Sequence, residues 1–440
     1  MKTTFKKIIS YILQIESRLV LLKYKPKIVA ITGSVGKTST KDALYAVISG
    51  ISHVRKSEKS YNSEIGLPLT ILGCPNGWNS PLLWIGNVLR GLWLIIWPHK
   101  YPKWLILEVG IGKPKDMKKT ASWLKTDAVI ITAIGDTPSH IEFFNSRDHL
   151  VEEKSKLIKT LKKDGLLILN ADDDSVLGMK SKTKSRFITY GFKEGADVLA
   201  SGDNIFYDDV TNEPKGVIFR VDKGGNSLPV IIEGVFGRNH VYASLASLAF
   251  CYGEKLNMLE SVNMLKHYDV PPGRMHLLNG INNSLIIDDT YNSSPFACES
   301  GLKTFGQIKN TSLSTEIKTG RKIAVLGDML ELGRHTEESH KNIGRIAKDN
   351  AEILVVVGQR AKSIKIGAIE AGMKQENIFD FENAREAGKF LKTIVQKNDL
   401  LFIKGSQGMR MERTVEAILL DKKNKVNLLV RQDPEWILKK

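Results

Sequence analysis

Apolar positions along the chain fall into two alternating patterns. Short unbroken runs at 27–31, 104–110, 128–135 and 166–170 end in polar or acidic residues. Runs of this kind are strands buried on both faces, as in a parallel sheet. Between them lie stretches of helical spacing, such as Ala43, Leu44, Ala46, Val47 and Ile48, and the Glu- and Lys-rich 146–163. This alternation predicts a doubly wound α/β domain that binds ligands at the carboxyl ends of its strands. Segment 60–68 is a polar turn leading into a short apolar helix or strand. From 186 to 236 the pattern changes to short β segments at 187–192, 217–221 and 230–235, separated by Gly, Asp and Asn, which predicts a small antiparallel annex. Helices are expected at 240–253 and 258–267. Val270-Pro271-Pro272-Gly273-Arg274 reads as a hinge. A second α/β alternation follows, with strands at 284–288, 322–327, 353–358 and 400–404, a helix opening at 405–408 and a polar surface loop at 311–319.

Two apolar stretches stand outside this scheme. In residues 1–25, Phe5, Ile8, Ile9, Ile12, Ile15, Leu19 and Leu22 recur at helical spacing among basic residues. Gln14, Glu16 and Arg18 interrupt the run and no small-residue cleavage site follows, so it is not a signal peptide. It is an amphipathic helix, packed on the domain or lying on a membrane surface. An insert at about 78–101 centres on 82–97, which is dominated by Leu, Ile and Trp but holds Asn87 and Arg90. It is shorter than the roughly 20 residues a bilayer span needs. It is a buried helix, a membrane-interface segment anchored by Trp84, Trp93 and Trp97, or a protein contact.

The 440 residues accommodate two or three domains. Against 48 acidic residues stand 64 Lys and Arg, a net charge of +16. That charge suits anionic ligands or an anionic membrane, or is simply a lysine-rich soluble surface. No arginine-rich run or basic patch interleaved with aromatics points to nucleic acid, and none is expected as a partner. Cys74, Cys251 and Cys298 have neither metal spacing nor a disulfide framework, which predicts a cytoplasmic protein, peripheral at the inner face of the plasma membrane if its apolar helices lie there.

The most informative stretch is Thr32-Gly33-Ser34-Val35-Gly36-Lys37-Thr38-Ser39-Thr40, set between a strand and a helix. Glycines let backbone N–H groups close on phosphate oxygens at a helix N-terminus. Lys37 is then placed for the β- and γ-phosphates and the Thr38 hydroxyl for Mg²⁺. Ile31 stands where the longer form of this loop has glycine, so the loop is the short G-x-x-G-K-T. Alone, that pattern could be an ordinary tight turn. The preceding strand and following helix favour binding of a nucleotide triphosphate.

Taken together, several motifs resemble the Mur ligases, the ATP-dependent amide ligases of peptidoglycan precursor synthesis. They are the short loop, Asn62 with Ile65-Gly66-Leu67-Pro68-Leu69-Thr70, Glu108-Val109-Gly110, and Ile134-Gly135 with Ser139-His140-Ile141-Glu142. Asp288-Asp289-Thr290-Tyr291-Asn292, 326–333 and Lys404-Gly405-Ser406 are similar to the branch that adds D-alanyl-D-alanine to a UDP-muramoyl tripeptide. The fold implied is a central P-loop ATPase domain at 26–272, with a mostly parallel sheet and β annex, followed by a Rossmann-like α/β domain at 273–440. The active form implied is a monomer.

The resemblance also implies roles. Gly33, Ser34, Gly36, Lys37, Thr38 and Ser39 would hold ATP, with His240 on the base side and Asp289 at the ribose or hinge. Thr38, Glu108, His140 and a carbamylated Lys154 would serve Mg²⁺, and Arg274 would touch the γ-phosphate. Asn62, Asn292, Asp328, Glu331, Lys404 and Ser406 would shape the substrate sites. Read singly, Glu108 could be a strand-end salt bridge, His140 a capped turn residue, Lys154 an exposed helix lysine and Glu331 a loop cap. The chain departs from the family at Asn239-His240, which are in swapped order, and at Ser293-Ser294, where the family has Ala-Asn. Members of the branch carry a further N-terminal domain for UDP, whereas about 26 residues precede the first strand here. Either the UDP is held otherwise or the acceptor is another, such as a lipid-linked or polyamino-acid carboxylate. A non-catalytic, membrane-associated nucleotide-binding protein is the reading from a different class.

Overall fold

The computed structural model describes residues 3–58, 61–78, 80–135, 143–223, 225–309 and 320–438. The expected loop at 311–319 lies outside them. The strands of the first domain are β1 (Lys27–Thr32), β2 (Val54–Lys56), β3 (Trp104–Glu108), β4 (Thr126–Ile131), β5 (Leu161–Asn170), β6 (Arg186–Gly191), β7 (Val198–Tyr207), β8 (Pro214–Lys223) and β9 (Asn226–Glu233). They form one sheet in the order β2-β3-β1-β4-β5-β6-β7-β8-β9. Pairing is parallel from β2 through β7 and antiparallel for β7–β8 and β8–β9.

The helices of this domain are α1 (Thr3–Tyr24), α2 (Lys37–Ser49), α3 (Gly66–Leu72), α4 (Pro81–Ile96), α5 (Asp116–Ala121), α6 (Arg147–Ser155), α7 (Asp174–Leu177), α8 (Arg238–Gly253) and α9 (Met258–Met264). Alternation along the buried strands sorts residues to two cores. Val29 and Ile31 of β1 and Ala128 and Ile130 of β4 face the core shared with α2 and α8. Ile28, Ala30, Val129 and Ile131 face the core shared with α1, α3 and α4. Both faces are covered, which is why these strands carry unbroken apolar runs.

Three expectations are corrected. The annex is not antiparallel throughout: β6 pairs in parallel with β5, and only β7–β8 and β8–β9, which extend the main sheet, are antiparallel. Strand β7 was not expected, because Gly202-Asp203-Asn204 interrupts its apolar pattern at a register shift between Ser201 and Asn204. The predicted helix 146–163 is α6 plus a 3₁₀ turn over Lys156–Thr160, after which β5 starts at Leu161.

The second domain holds β10 (His276–Asn279), β11 (Leu285–Asp289), β12 (Lys322–Gly327), β13 (Ile353–Val357), β14 (Ile378–Phe381) and β15 (Leu400–Lys404), in the order β10-β11-β15-β12-β13-β14. All pairs are parallel except the edge strand β10. Helices α10 (Pro295–Gln307), α11 (Thr336–Asn350) and α12 (Lys362–Glu370) cover one face, and α13 (Ala384–Ile394) and α14 (Glu412–Ile418) the other. The expected hinge leads into backbone pairing between the domains: Phe236 N donates to Met275 O (3.1 Å) and Leu277 N to Gly234 O (2.9 Å).

Helix α1 packs on the domain through Ile9, Leu13, Ser17 and Val20. The insert is α4, which buries only Trp84, Asn87, Gly91 and Leu94. A wholly buried helix is therefore not what the insert forms.

Candidate active site

The loop between β1 and α2 is held in shape from β4. Ser34 N and Val35 N both donate to Ala133 O, at 2.8 and 3.0 Å, and Thr132 Oγ1 donates to Val35 O at 2.7 Å. Gly33 and Gly36 have φ of +147° and +86°. A Cβ on Gly33 would sit 1.9 Å from Thr132 Oγ1, so only glycine fits that approach. Among the described residues, the buried Ser34 Oγ and Thr32 Oγ1 find no hydrogen-bond partner.

Polar groups converge at the start of α2. Thr38 Oγ1 donates to Glu108 Oε2 (3.1 Å), and Asn62 Nδ2 donates to Glu108 Oε1 (3.2 Å). Glu108 is buried at the carboxyl end of β3, where the register puts it beside Ile31. Lys41 Nζ lies 4.0 Å from Glu108 Oε2. Lys41 went unnoticed in the sequence; its signal is a position one turn after Lys37 on the same helix face.

Lys37 Nζ donates to Gly33 O at 2.9 Å and Ser34 O at 3.2 Å. Lys154 Nζ, reaching in from α6, also donates to Gly33 O at 2.9 Å. Lys154 is buried, not exposed on its helix. Burial lowers the pKa of Lys37; Glu108 opposes that and Arg274 adds to it. Burial, followed by the neighbouring Lys37, holds Lys154 well below the ordinary lysine range.

These residues suit a hard divalent cation. Thr38 and Glu108 supply adjacent oxygen donors, and Mg²⁺ typically takes only one or two protein ligands beside phosphates and water. Among the described residues no group of three His, Cys, Asp or Glu could hold a metal unaided. His140 lies outside the described residues.

On the opposite side of the loop, a small cleft is lined by Val35, Gly36, Thr132, Asn170, Asn239 and Tyr242, among others. His240, expected on the base side, is instead buried with both ring nitrogens engaged: Nδ1 with Tyr268 Oη (3.0 Å) and Nε2 with Arg274 O (2.8 Å). Burial pushes its pKa down to about 4, so the ring is neutral. The swapped order of Asn239 and His240 explains the error, since Asn239 is the residue that lines the cleft. Ser39, expected at the nucleotide, hydrogen-bonds Tyr268. A chain of contacts, Ser39–Tyr268–His240–Arg274, thus ties the start of α2 to the hinge arginine. The Arg274 guanidinium stacks 3.8 Å above the Tyr291 ring, and its buried Nε has no partner among the described residues.

The second domain gathers its polar residues at its own strand ends. Lys404 Nζ donates to Asp289 Oδ2 (2.6 Å) and Asn292 O (2.8 Å). Burial raises the Asp289 pKa, and Lys404 counters it. Asn292 Oδ1 accepts from Gln407 N at 3.3 Å. Ser406 Oγ accepts from Leu330 N (2.8 Å). Asp328 Oδ1 accepts from Ala361 N (2.7 Å), so this side chain pins the loop before α12. Glu331 is exposed on a turn with φ of +63°. The structure therefore brings together Lys37, Thr38, Asn62, Glu108 and Lys154 in one cluster and Asp289, Asn292, Lys404 and Ser406 in another, with Arg274 at the junction of the domains.

Residues 31–251 match the Mur ligase middle domain, and residues 273–407 match the Mur ligase glutamate ligase domain. The chain belongs to the Mur ligase family and is an ATP-dependent ligase. It is 26% identical over 395 residues to the UDP-N-acetylmuramoyl-tripeptide–D-alanyl-D-alanine ligase of Bacillus subtilis, covering 89% of this chain and 76% of that one. It is 28% identical over 401 residues to the ligase of the same name from Synechocystis, covering 90% and 75%. Among solved structures, it is similar to MurF ligase from Thermotoga maritima in complex with ADP (TM-score 0.74, 23% identity, 93% and 83% coverage). It is also similar to MurF from Acinetobacter baumannii (TM-score 0.72, 22% identity, 92% and 79% coverage). At these identities the structural likeness establishes the fold.

Proposed function

We propose that the chain joins D-alanyl-D-alanine to the terminal carboxylate of a UDP-muramoyl tripeptide, with ATP converted to ADP and phosphate. The observation that carries this reading is the cluster of buried Lys154, Thr38 and Glu108 with half-buried Lys37 and Asn62 around the glycine loop. The relatives' names supply the substrates.

An acceptor carboxylate oxygen attacks the γ-phosphorus and ADP leaves, giving an acyl phosphate. The amine of D-alanyl-D-alanine attacks the acyl carbon, loses a proton, and phosphate leaves. The obstacle is negative charge, since a carboxylate must approach a triphosphate. Lys37 and the N–H groups at the start of α2 offset charge on the phosphates. Thr38 and Glu108 would hold Mg²⁺, which neutralises charge on phosphate and acyl oxygens when bound.

Lys154 has the properties carbamylation needs. Burial and the neighbouring Lys37 lower its pKa, which favours the neutral, nucleophilic amine that reacts with CO₂, and the resulting carbamate would place an anion beside Lys37. Arg274, positioned from below by His240 and Tyr268, lies where closure of the second domain brings it to the γ-phosphate. Lys404, Asp289, Asn292 and Ser406 form the side from which the amine arrives. The cleft at Asn239 and Asn170 is the base-side pocket. We further propose that the enzyme works as a cytoplasmic monomer, with Cys74, Cys251 and Cys298 as buried free thiols.

The test is phosphate release by the purified protein with ATP, D-alanyl-D-alanine and UDP-muramoyl tripeptide, together with the product mass. Release that needs both substrates supports the proposal. Release only with a different carboxylate would move the assignment to another acceptor.

A further inference from the structure

Helices α1 and α4 run side by side in the same direction. Glu16 of α1 lies against Gly91 of α4, where an added Cβ would sit 2.1 Å from Glu16 Oε2. One or two turns further on, Lys23 Nζ donates to the carbonyls of Leu94 (3.1 Å), Ile95 (2.8 Å) and Trp97 (2.8 Å). Tyr24 Oη donates to Leu94 O at 3.0 Å. The two helices therefore end together.

Each helix has a second apolar stripe besides the one it packs inward. On α1 the exposed residues are Ile8, Tyr11, Ile15, Leu19 and Leu22. On α4 the stripe is Leu82, Ile85, Leu89, Trp93 and Ile96, flanked by the exposed Leu83 and Leu92, with Trp97 just beyond its end. Both sets have the spacing i, i+3, i+7, i+11, i+14, which puts each on one helix face. Exposure reaches 81% at Leu82, 70% at Leu22 and 62% at Ile96. Scattered exposed apolar residues are ordinary; two aligned stripes on neighbouring helices are an interaction surface.

We propose that this face docks on the interface of an anionic lipid bilayer. Three observations select that occupant. Trp93 and Trp97 stack at 4.3 Å and are half exposed where the helices end, the place interfacial aromatics take between headgroups and acyl chains. The rim there is basic: Lys23, Lys25, His99, Lys100 and Lys103 are exposed, and residues 65–107 contain no Asp or Glu. A second copy of the chain would bring two such basic rims together, whereas anionic headgroups complement them. Among the described residues no helix is long and apolar enough to cross a membrane, so the helices lie in the interface plane.

The test is flotation of the full-length protein with vesicles of phosphatidylcholine alone or with one quarter phosphatidylglycerol, at about 0.1 M salt. Alongside it goes the triple variant Leu82→Ser, Leu89→Ser, Ile96→Ser, whose side chains are exposed, with its melting temperature and phosphate release measured in solution. The wild type should float with the anionic vesicles at least tenfold better than with neutral ones. The triple variant should lose at least tenfold of that binding while keeping its melting temperature and activity. A wild type that stays at the bottom with anionic vesicles overturns the proposal, as does a triple variant that still floats. So does a wild-type dimer that the triple variant dissolves without any flotation. None of these results bears on ligase activity with soluble substrates, which is read separately.

Discussion

Lys37 and Lys154 donate to one carbonyl oxygen, that of Gly33, each at 2.9 Å. Two buried amines sharing one acceptor repel, and only one is needed to satisfy it. The chemical role proposed for Lys154 accounts for its being buried there. Lys154→Met should melt about 2–4 °C above the wild type at neutral pH, because it removes a buried amine whose acceptor Lys37 already satisfies. It should also lose activity by about 10²-fold or more. Scanning calorimetry and phosphate release measure the two effects, and a fully active Lys154→Met excludes the carbamate.

The depressed pKa of Lys154 also sets a pH direction. Carbamate forms from the neutral amine, so lower pH opposes it. In buffers stripped of CO₂, wild-type activity should fall and bicarbonate should restore it, with a smaller fraction restored at lower pH for the same dissolved CO₂. Activity indifferent to bicarbonate at every pH would contradict the role given to Lys154.

His240 and Tyr268 link Ser39 to the backbone carbonyl of Arg274, and under the proposed function they position that arginine. Tyr268→Phe removes the hydroxyl that joins His240 Nδ1 to Ser39. This should cost about 1–2 kcal/mol of stability, since buried partners are left unsatisfied. Steady-state kinetics should show kcat reduced more than KM for ATP if Arg274 has the role proposed for it at domain closure. An equal stability loss with unchanged kcat would leave these residues a purely structural role.

Glu16 is 3% exposed between α1 and α4 and has no hydrogen-bond partner among the described residues. Burial raises its pKa from 4.5 to about 7. The folded state therefore binds this proton more tightly than the unfolded chain. The sign follows: the group costs nothing below pH 4.5, and stability falls as pH rises from 4.5 towards 7. Glu16→Gln should flatten that part of the stability profile and melt higher than the wild type at pH 8. Matching profiles for the two proteins would mean that Glu16 is solvated or paired.

Much of this was legible in the sequence, for local reasons. The strands β1, β3, β4 and β5 carry unbroken apolar runs because helices cover both their faces, and Glu108 follows such a run directly. The glycine loop was legible from its spacing, and Asn62 and Lys154 from the family resemblance. The rest depended on contacts between distant segments. No local pattern shows that Lys154 is buried against Gly33, or that Arg431 donates to the carbonyls of Thr290 and Tyr291 beneath Arg274. His240 was misplaced because a neighbouring polar pair gives no sign of which member faces the cleft. The edge strand β14 was missed because its four residues, Ile-Phe-Asp-Phe, are too few to show a period.

The central claim is that ATP activates a carboxylate as an acyl phosphate. It is tested most directly by isotope transfer. The acceptor's terminal carboxylate is labelled with heavy oxygen, turned over with ATP and D-alanyl-D-alanine, and the released phosphate is analysed by mass. One labelled oxygen should appear in each phosphate, matching amide formed. Phosphate released without label, while amide is formed, would contradict the mechanism.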